Sequence, residues 1–96
     1  MKHQIIIRPD AEADLQIAFH WYEDEAEGLG SEFLRCIDAA ISSIDRSPEA
    51  YSFLYKNIRR ILVRRFPYGI FYLTEKDRII VLAVLHFRRD PNRWPH

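Results

Sequence analysis

The chain predicts an α+β fold in the order β-α-α-β-β-β, an N-terminal helical hairpin packed on a small antiparallel sheet. Three observations carry this. Two long stretches, 10–27 and 31–47, lack Gly and Pro and repeat apolar residues every three or four positions. Gly28-Leu29-Gly30 breaks them apart, and the second half of the chain concentrates Ile, Val, Leu, Phe and Tyr in short runs.

His3 to Arg8 reads as a strand, because consecutive β-branched residues at Ile5, Ile6 and Ile7 favour a pleated, buried setting, and Pro9 ends it. In the first helix, Asp10, Glu12 and Asp14 suit the positive end of the dipole, and Leu15, Ala18, Phe19 and Tyr22 form the apolar stripe. Ser31 is the expected cap of the second helix, whose buried stripe is Phe33, Ile37, Ala40, Ile41 and Ile44, with Pro48 as its stop. Glu49 to Asn57 reads as a loop that packs down through Tyr51, Phe53, Leu54 and Tyr55. Ile58 to Arg65, Tyr68 to Thr74 and Arg78 to His86 then form a meander, the last two joined by Glu75-Lys76-Asp77. The run Ile79 to Leu85 does not alternate, which predicts a core strand covered on both sides or lying at the sheet's centre.

With 96 residues, 48% hydrophobic and 29% charged, the chain is expected to be one domain, 1–96. A domain of this size buries only about 60–65% of its unfolded surface, so a dimer or a stabilising partner is expected. The single cysteine, Cys36, excludes an intramolecular disulfide framework and a thiolate-rich zinc site, and predicts a reducing cytoplasm. No apolar run has the length of a membrane span, and the start has too short an apolar stretch for a secretory signal.

The formal charge is zero, yet the chain is dipolar: residues 1–48 carry −6 and residues 49–96 carry +6. Seven of the later cations form two clusters, Arg59-Arg60 with Arg64-Arg65, and Arg88-Arg89 with Arg93. They read either as a solvated sheet edge or as a surface for an anionic partner. Phosphate-loop, dinucleotide and zincin motifs are missing, and His3, His20, His86 and His96 are scattered, so no cofactor or metal is expected. Cys36 reads as an inert thiol in the second helix, and Glu23, Asp24, Glu25 and Glu27 read as an exposed turn. The segment Val84 to Trp94 is the most informative. Its structural reading has His86 hydrogen-bonding across the sheet, Asp90 pairing with a neighbouring arginine, and Trp94 closing the core's open end.

Over nearly its whole length the sequence resembles the RelE/ParE superfamily of type II toxin–antitoxin toxins, and within it the ParE-like branch of plasmid-stabilisation toxins. The resemblance rests on Arg8-Pro9-Asp10-Ala11-Glu12-Ala13-Asp14-Leu15, on Trp21-Tyr22-Glu23, on Arg64 to Tyr72, and on Leu85-His86-Phe87-Arg88-Arg89-Asp90-Pro91. It implies a helical hairpin on a small sheet. It also implies one of two activities: RelE-like members cut mRNA on the ribosome, and ParE-like members inhibit DNA gyrase without hydrolysis.

The RelE pattern places cations where this chain has Leu62, Gly69 and Phe87, which supply neither proton transfer nor charge at a phosphate. The expectation is therefore a cytoplasmic, non-enzymatic gyrase inhibitor neutralised by a ParD-like antitoxin in a hetero-oligomer. Arg88, Arg89 and Trp94 are the expected toxicity residues; Ile17, Trp21, Arg59 and Arg64 are expected to hold the antitoxin. A nuclease acting on ribosome-bound mRNA through His86, Arg60, Arg88 and Arg89 is the alternative, and a degenerate, non-toxic antitoxin-binding module is a third reading.

Overall fold

The computed structural model describes residues 2–93. The hairpin consists of α1 (Pro9–Glu25) and α2 (Leu29–Arg46), preceded by strand β1 (Gln4–Ile7). After a 3-10 turn at Pro48–Ala50 come β2 (Phe53–Tyr55), β3 (Ile58–Leu62), β4 (Tyr68–Glu75) and β5 (Arg78–His86). The sheet runs β1-β5-β4-β3-β2. The α+β hairpin-on-sheet fold is as the sequence predicts, with two additions. A three-residue strand, β2, lies in the stretch read as loop. The sheet is also mixed: β1 runs parallel to β5, with Ile5 opposite Ile79 and Ile7 opposite Val81. A parallel neighbour needs a crossover, and the helical hairpin supplies one.

Hydrophobic burial holds the two layers together. Phe33, Ile37, Ile41 and Ile44 of α2 and Ala11 and Ala18 of α1 meet Ile61, Tyr68, Ile70, Tyr72, Ile79, Val81 and Val84 of the sheet. The missing alternation in β5 has a specific cause. Between Phe71 and Tyr72 the register with β5 slips, so that Tyr72 faces Val81 while Phe71 faces Ala83, and Leu82 is the extra residue. Val81 and Val84 therefore share the helix face, while Phe71, Ile80 and Leu85 are buried on the opposite one.

The hairpin turn is closed by an acidic side chain rather than by Ser31. Glu23 accepts hydrogen bonds from the amides of Gly28 and Gly30, at 2.9 and 3.0 Å, placing a carboxylate at the positive end of α2. Glu23 is thus drawn out of the exposed cluster in which the sequence places it. Gly30 is required here by space: a Cβ would lie 2.7 Å from the Phe19 carbonyl oxygen and 2.8 Å from the Phe19 ring.

Two side chains tie the ends of the helical layer down. The Tyr72 hydroxyl, pushed up to about 12 by burial, donates to the Pro48 carbonyl at 2.7 Å. Asp45, at the end of α2, accepts the amides of Lys2 and His3 at 2.9 and 2.8 Å and lies 3.0 Å from His3 Nδ1. The Lys2 amide first, then the His3 amide and ring, hold the Asp45 carboxyl down at about 2 against the opposing effect of desolvation. A depressed folded-state pKa stabilises the fold above the ordinary carboxylate range, and the contribution is lost as pH falls through about 2. Replacing Asp45 by Asn is expected to lower the melting temperature at pH 5 and to flatten its fall between pH 4 and pH 2; melts that superimpose on the wild type would exclude this anchor.

Candidate functional site

Beyond Val81 the edge of β5 has lost its partner strand, because β1 ends at Ile7 and the Arg8 amide makes the last bond, to the Val81 carbonyl at 3.0 Å. The amide of Val84 would be left unpaired and buried. Asp14 of α1 closes it: Oδ2 accepts the Val84 amide at 3.0 Å, and Oδ1 takes Arg93 from the tail at 2.9 Å. Asp14 is buried, on the same helix face as Ala11 and Ala18. A carboxylate with one charged partner and one backbone donor is adequately satisfied there.

The turn between Asp14 and Arg93 is shaped by His86. Its ring Nδ1 accepts the amides of Arg88 and Arg89 at 3.0 and 3.1 Å, and its own amide donates to Asp90 Oδ2 at 3.2 Å. The His86 ring therefore bonds its own turn rather than across the sheet, and meets the ring of Tyr68, its partner on β4, edge-on at 5.1 Å. Asp90 accepts a backbone amide in place of the expected arginine. An acceptor at Nδ1 places the imidazole proton on Nε2. Burial first, and then the Arg89 charge, push the ring below its ordinary value, with Asp90 opposing.

Arg89 is the centre of this corner. Its guanidinium donates to the Tyr68 hydroxyl at 2.9 Å and lies 4.5 Å from the centre of the Trp21 ring. Behind it stands a cluster of Tyr22, Phe33, Phe66 and Tyr68, with ring centres 4.9 to 6.1 Å apart. Burial raises Tyr68 to about 12 and also raises Tyr22, while Arg89 pulls both the other way. Trp21 is 50% exposed and Ile17, one turn earlier, 71%. With Arg89 they make a surface that is apolar on the helix side and cationic on the tail side, and Ile17 and Arg89 border a hollow of about 140 Å³. Nδ1 of His86 is spent on the backbone, and burial pushes the Tyr68 hydroxyl up to about 12.

The structure thus brings Ile17, Trp21 and Arg89 together, while Arg88 is exposed on the turn after β5. Trp94 lies outside the described residues. Arg59 is turned onto its own sheet, bonded to the Tyr51 carbonyl at 2.5 Å and stacked 3.8 Å from the centre of the Phe53 ring. Arg64 is exposed beyond β3. Arg60 lies on the opposite face of the sheet from His86: it pairs with Phe71, and its stem would meet a Cβ at Gly69 at 3.2 Å, whereas His86 pairs with Tyr68 on the helix face. The residues of the nuclease alternative therefore do not share one surface. Asp14, Tyr22 and Tyr68 are not among the site residues that the sequence predicts, and Arg93 is predicted only as part of a cationic cluster. Asp14 had a readable signal, an acid on the Ala11, Leu15, Ala18 face.

A family model described as the ParE toxin of the type II toxin–antitoxin system parDE matches residues 5–91. A curated relative, Toxin ParE2 of Mycobacterium tuberculosis, is 32% identical over 93 residues, covering 96% of this chain and 89% of that protein. Among solved structures, a chain of the chromosomal ParDE TA system from P. aeruginosa superposes with a TM-score of 0.77 at 12% identity, over 88% of this chain and 96% of that one, a likeness of fold. These define the class: a toxin component of a type II toxin–antitoxin system. The chain belongs to the ParE toxin family.

The tautomer at His86 is directly observable. Nitrogen NMR of the ring is expected to show the Nε2–H form at neutral pH, with protonation below the ordinary histidine range. Since the folded-state pKa is lowered, the ring's contribution to the turn is complete above about pH 6.5 and is lost as pH falls through the folded value. The Arg88 and Arg89 amide shifts should titrate with the ring, and amides that ignore its protonation would refute the turn geometry.

Proposed function

We propose that this ParE-family toxin arrests growth in the cytoplasm by binding DNA gyrase through the corner formed by α1 and the tail, without hydrolysing nucleic acid. A cognate antitoxin of the ParD kind neutralises it in a hetero-oligomer. The observation that supports the target surface is the Arg89 guanidinium, held by Tyr68 and laid over Trp21. A guanidinium fixed on an aromatic face beside an open apolar side chain has the composition of an interface hot spot. A non-nucleolytic mode is supported by His86, whose acceptor nitrogen serves the backbone, and by the separation of Arg60 from it across the sheet.

The antitoxin partner is supported by the family and by the toxin–antitoxin system to which the structural neighbour belongs. Because Ile17 and Trp21 adjoin Arg89, an antitoxin segment lying on them covers the target surface directly, which makes neutralisation a matter of occlusion. Among the described residues no helix is long and apolar enough to cross a membrane.

Purified protein titrated into a gyrase supercoiling and cleavage assay is expected to inhibit supercoiling or trap cleaved DNA, and the antitoxin should reverse this. Arg88→Glu with Arg89→Glu should weaken inhibition by roughly tenfold or more, the scale expected for removing a desolvated charge from an interface. Trp21→Ala should weaken both inhibition and antitoxin binding. Absence of inhibition at excess of folded protein, with mRNA cleaved in a ribosome-containing extract, would overturn this in favour of the nuclease; unimpaired growth of cells expressing the protein alone would leave only an antitoxin-binding module.

A further inference from the structure

The cations of α2 and of the β3–β4 turn converge on one place. α1 packs against β5, and the groove between α2 and β3 stays open as a hollow of about 830 Å³. Its α2 wall is a single helical stripe, Arg35, Ala39, Ser42 and Arg46, about 16 Å long at 1.5 Å per residue. Arg64 and Arg65 line it from the turn after β3. A second hollow, of about 490 Å³, adjoins the first at Tyr51 and Ile61, where β2 has Phe53 opposite Arg59 and reaches no further along β3. Arg60 lines this one from the opposite face of the sheet.

Five arginines thus border one continuous channel, and among the described residues that line it there is no Asp or Glu. Glu32 stands 3.5 Å from Arg65 with both side chains exposed, and such a pair is weak enough to yield to a stronger anion. Arg46 donates to the Ser43 hydroxyl at 3.0 Å, a neutral acceptor that orients the guanidinium without cancelling its charge. Arg35, Arg46 and Arg64 make no ion pair among the described residues. The channel also carries aromatic surface. Tyr51 stands half-buried where the two hollows join, and Phe53 lines the second one. The Arg59 guanidinium lies 3.8 Å from the centre of the Phe53 ring, yet Phe53 remains 58% exposed.

We propose that this channel binds a single strand of DNA, with the arginines on its phosphates and bases stacked on Phe53 and Tyr51. A cationic groove that follows a backbone, with aromatic rings beside it for the bases, is the composition that single-strand binding needs. A duplex fits less well, because its bases are stacked on one another and offer Phe53 no partner. The choice of DNA rests on the gyrase reading, which brings cleaved DNA to the toxin. The channel is then a second contact, separate from the corner of Arg89 and Trp21.

The test is fluorescence anisotropy of a labelled oligothymidylate of about 12 nucleotides, titrated with the whole chain in the absence of gyrase. The wild type is expected to bind, with an affinity that falls as salt rises. Arg35→Gln combined with Arg46→Gln should weaken binding roughly tenfold and lower the slope of log affinity against log salt by about 1.4, since each phosphate contact on a single strand contributes about 0.7. Phe53→Leu should weaken binding roughly fivefold or more and leave that slope unchanged, because stacking releases no counterions. All three positions are exposed, so the variants should melt close to the wild type. No binding by folded wild type, or folded variants that bind as the wild type does, would overturn the channel; gyrase inhibition by the same preparation would leave the target reading standing. Binding that both variants weaken as stated, without inhibition of gyrase, would support the channel and remove the target reading. Tighter binding of an oligouridylate of the same length would overturn the assignment to DNA and give the channel to RNA.

Discussion

The structure depends on how the unpaired side of β5 is closed. A strand that outruns its neighbour exposes backbone donors, and burying one without a partner costs about 1–3 kcal/mol. β1 stops opposite Val81, and Asp14 of α1 takes the amide of Val84, so one carboxylate replaces the strand that is missing. Pro9 starts the helix at the residue after Arg8, which places Asp14 one and a half turns along it, level with that amide.

From this link the corner between α1 and the tail follows. Asp14 also holds Arg93, and thereby draws the chain after β5 back onto α1. The turn between is kept by the reciprocal contacts of His86 and Asp90, and it delivers Arg89 to Tyr68 and Trp21. Residues far apart in sequence thus become one surface, in which the aromatic cluster beneath supplies a rigid, apolar base. The acidic and basic halves of the chain meet here in the Asp14–Arg93 pair. Elsewhere Glu32 of α2 meets Arg65, and Arg35, Arg46 and Arg64 line an open groove beside α2.

Much of this was legible in the amino-acid order. The stripes in α1 and α2 and the apolar runs of β4 and β5 predict their elements, because burial on one side imposes a period that the sequence displays directly. The strand β2 was hidden: three residues among Ser, Lys and Asn carry too little pattern, and their pairing depends on β3. The parallel pairing of β1 is a long-range choice that local spacing does not record. Glu23 reads as a solvated side chain and Asp14 as a partner of the helix dipole; the place of Asp14 on the buried face is visible in the spacing, but which distant amide it satisfies is not. The separation of Arg60 from His86 required the strand register, since one step along a strand changes the face. The corner itself was legible only as fragments: Trp21 in one motif and Arg88-Arg89 in another.

Native-state hydrogen exchange of Asp14→Ala against the wild type tests the central claim most directly. The account predicts that the Val84 amide loses protection by roughly tenfold or more, the equivalent of about 1.4 kcal/mol. The amides of Arg88, Arg89 and Asp90 should lose protection with it, while those of α2 and β4 change far less. Unaltered protection at Val84 and in the tail of a folded variant would contradict it, and would mean that the corner is held by something other than this carboxylate.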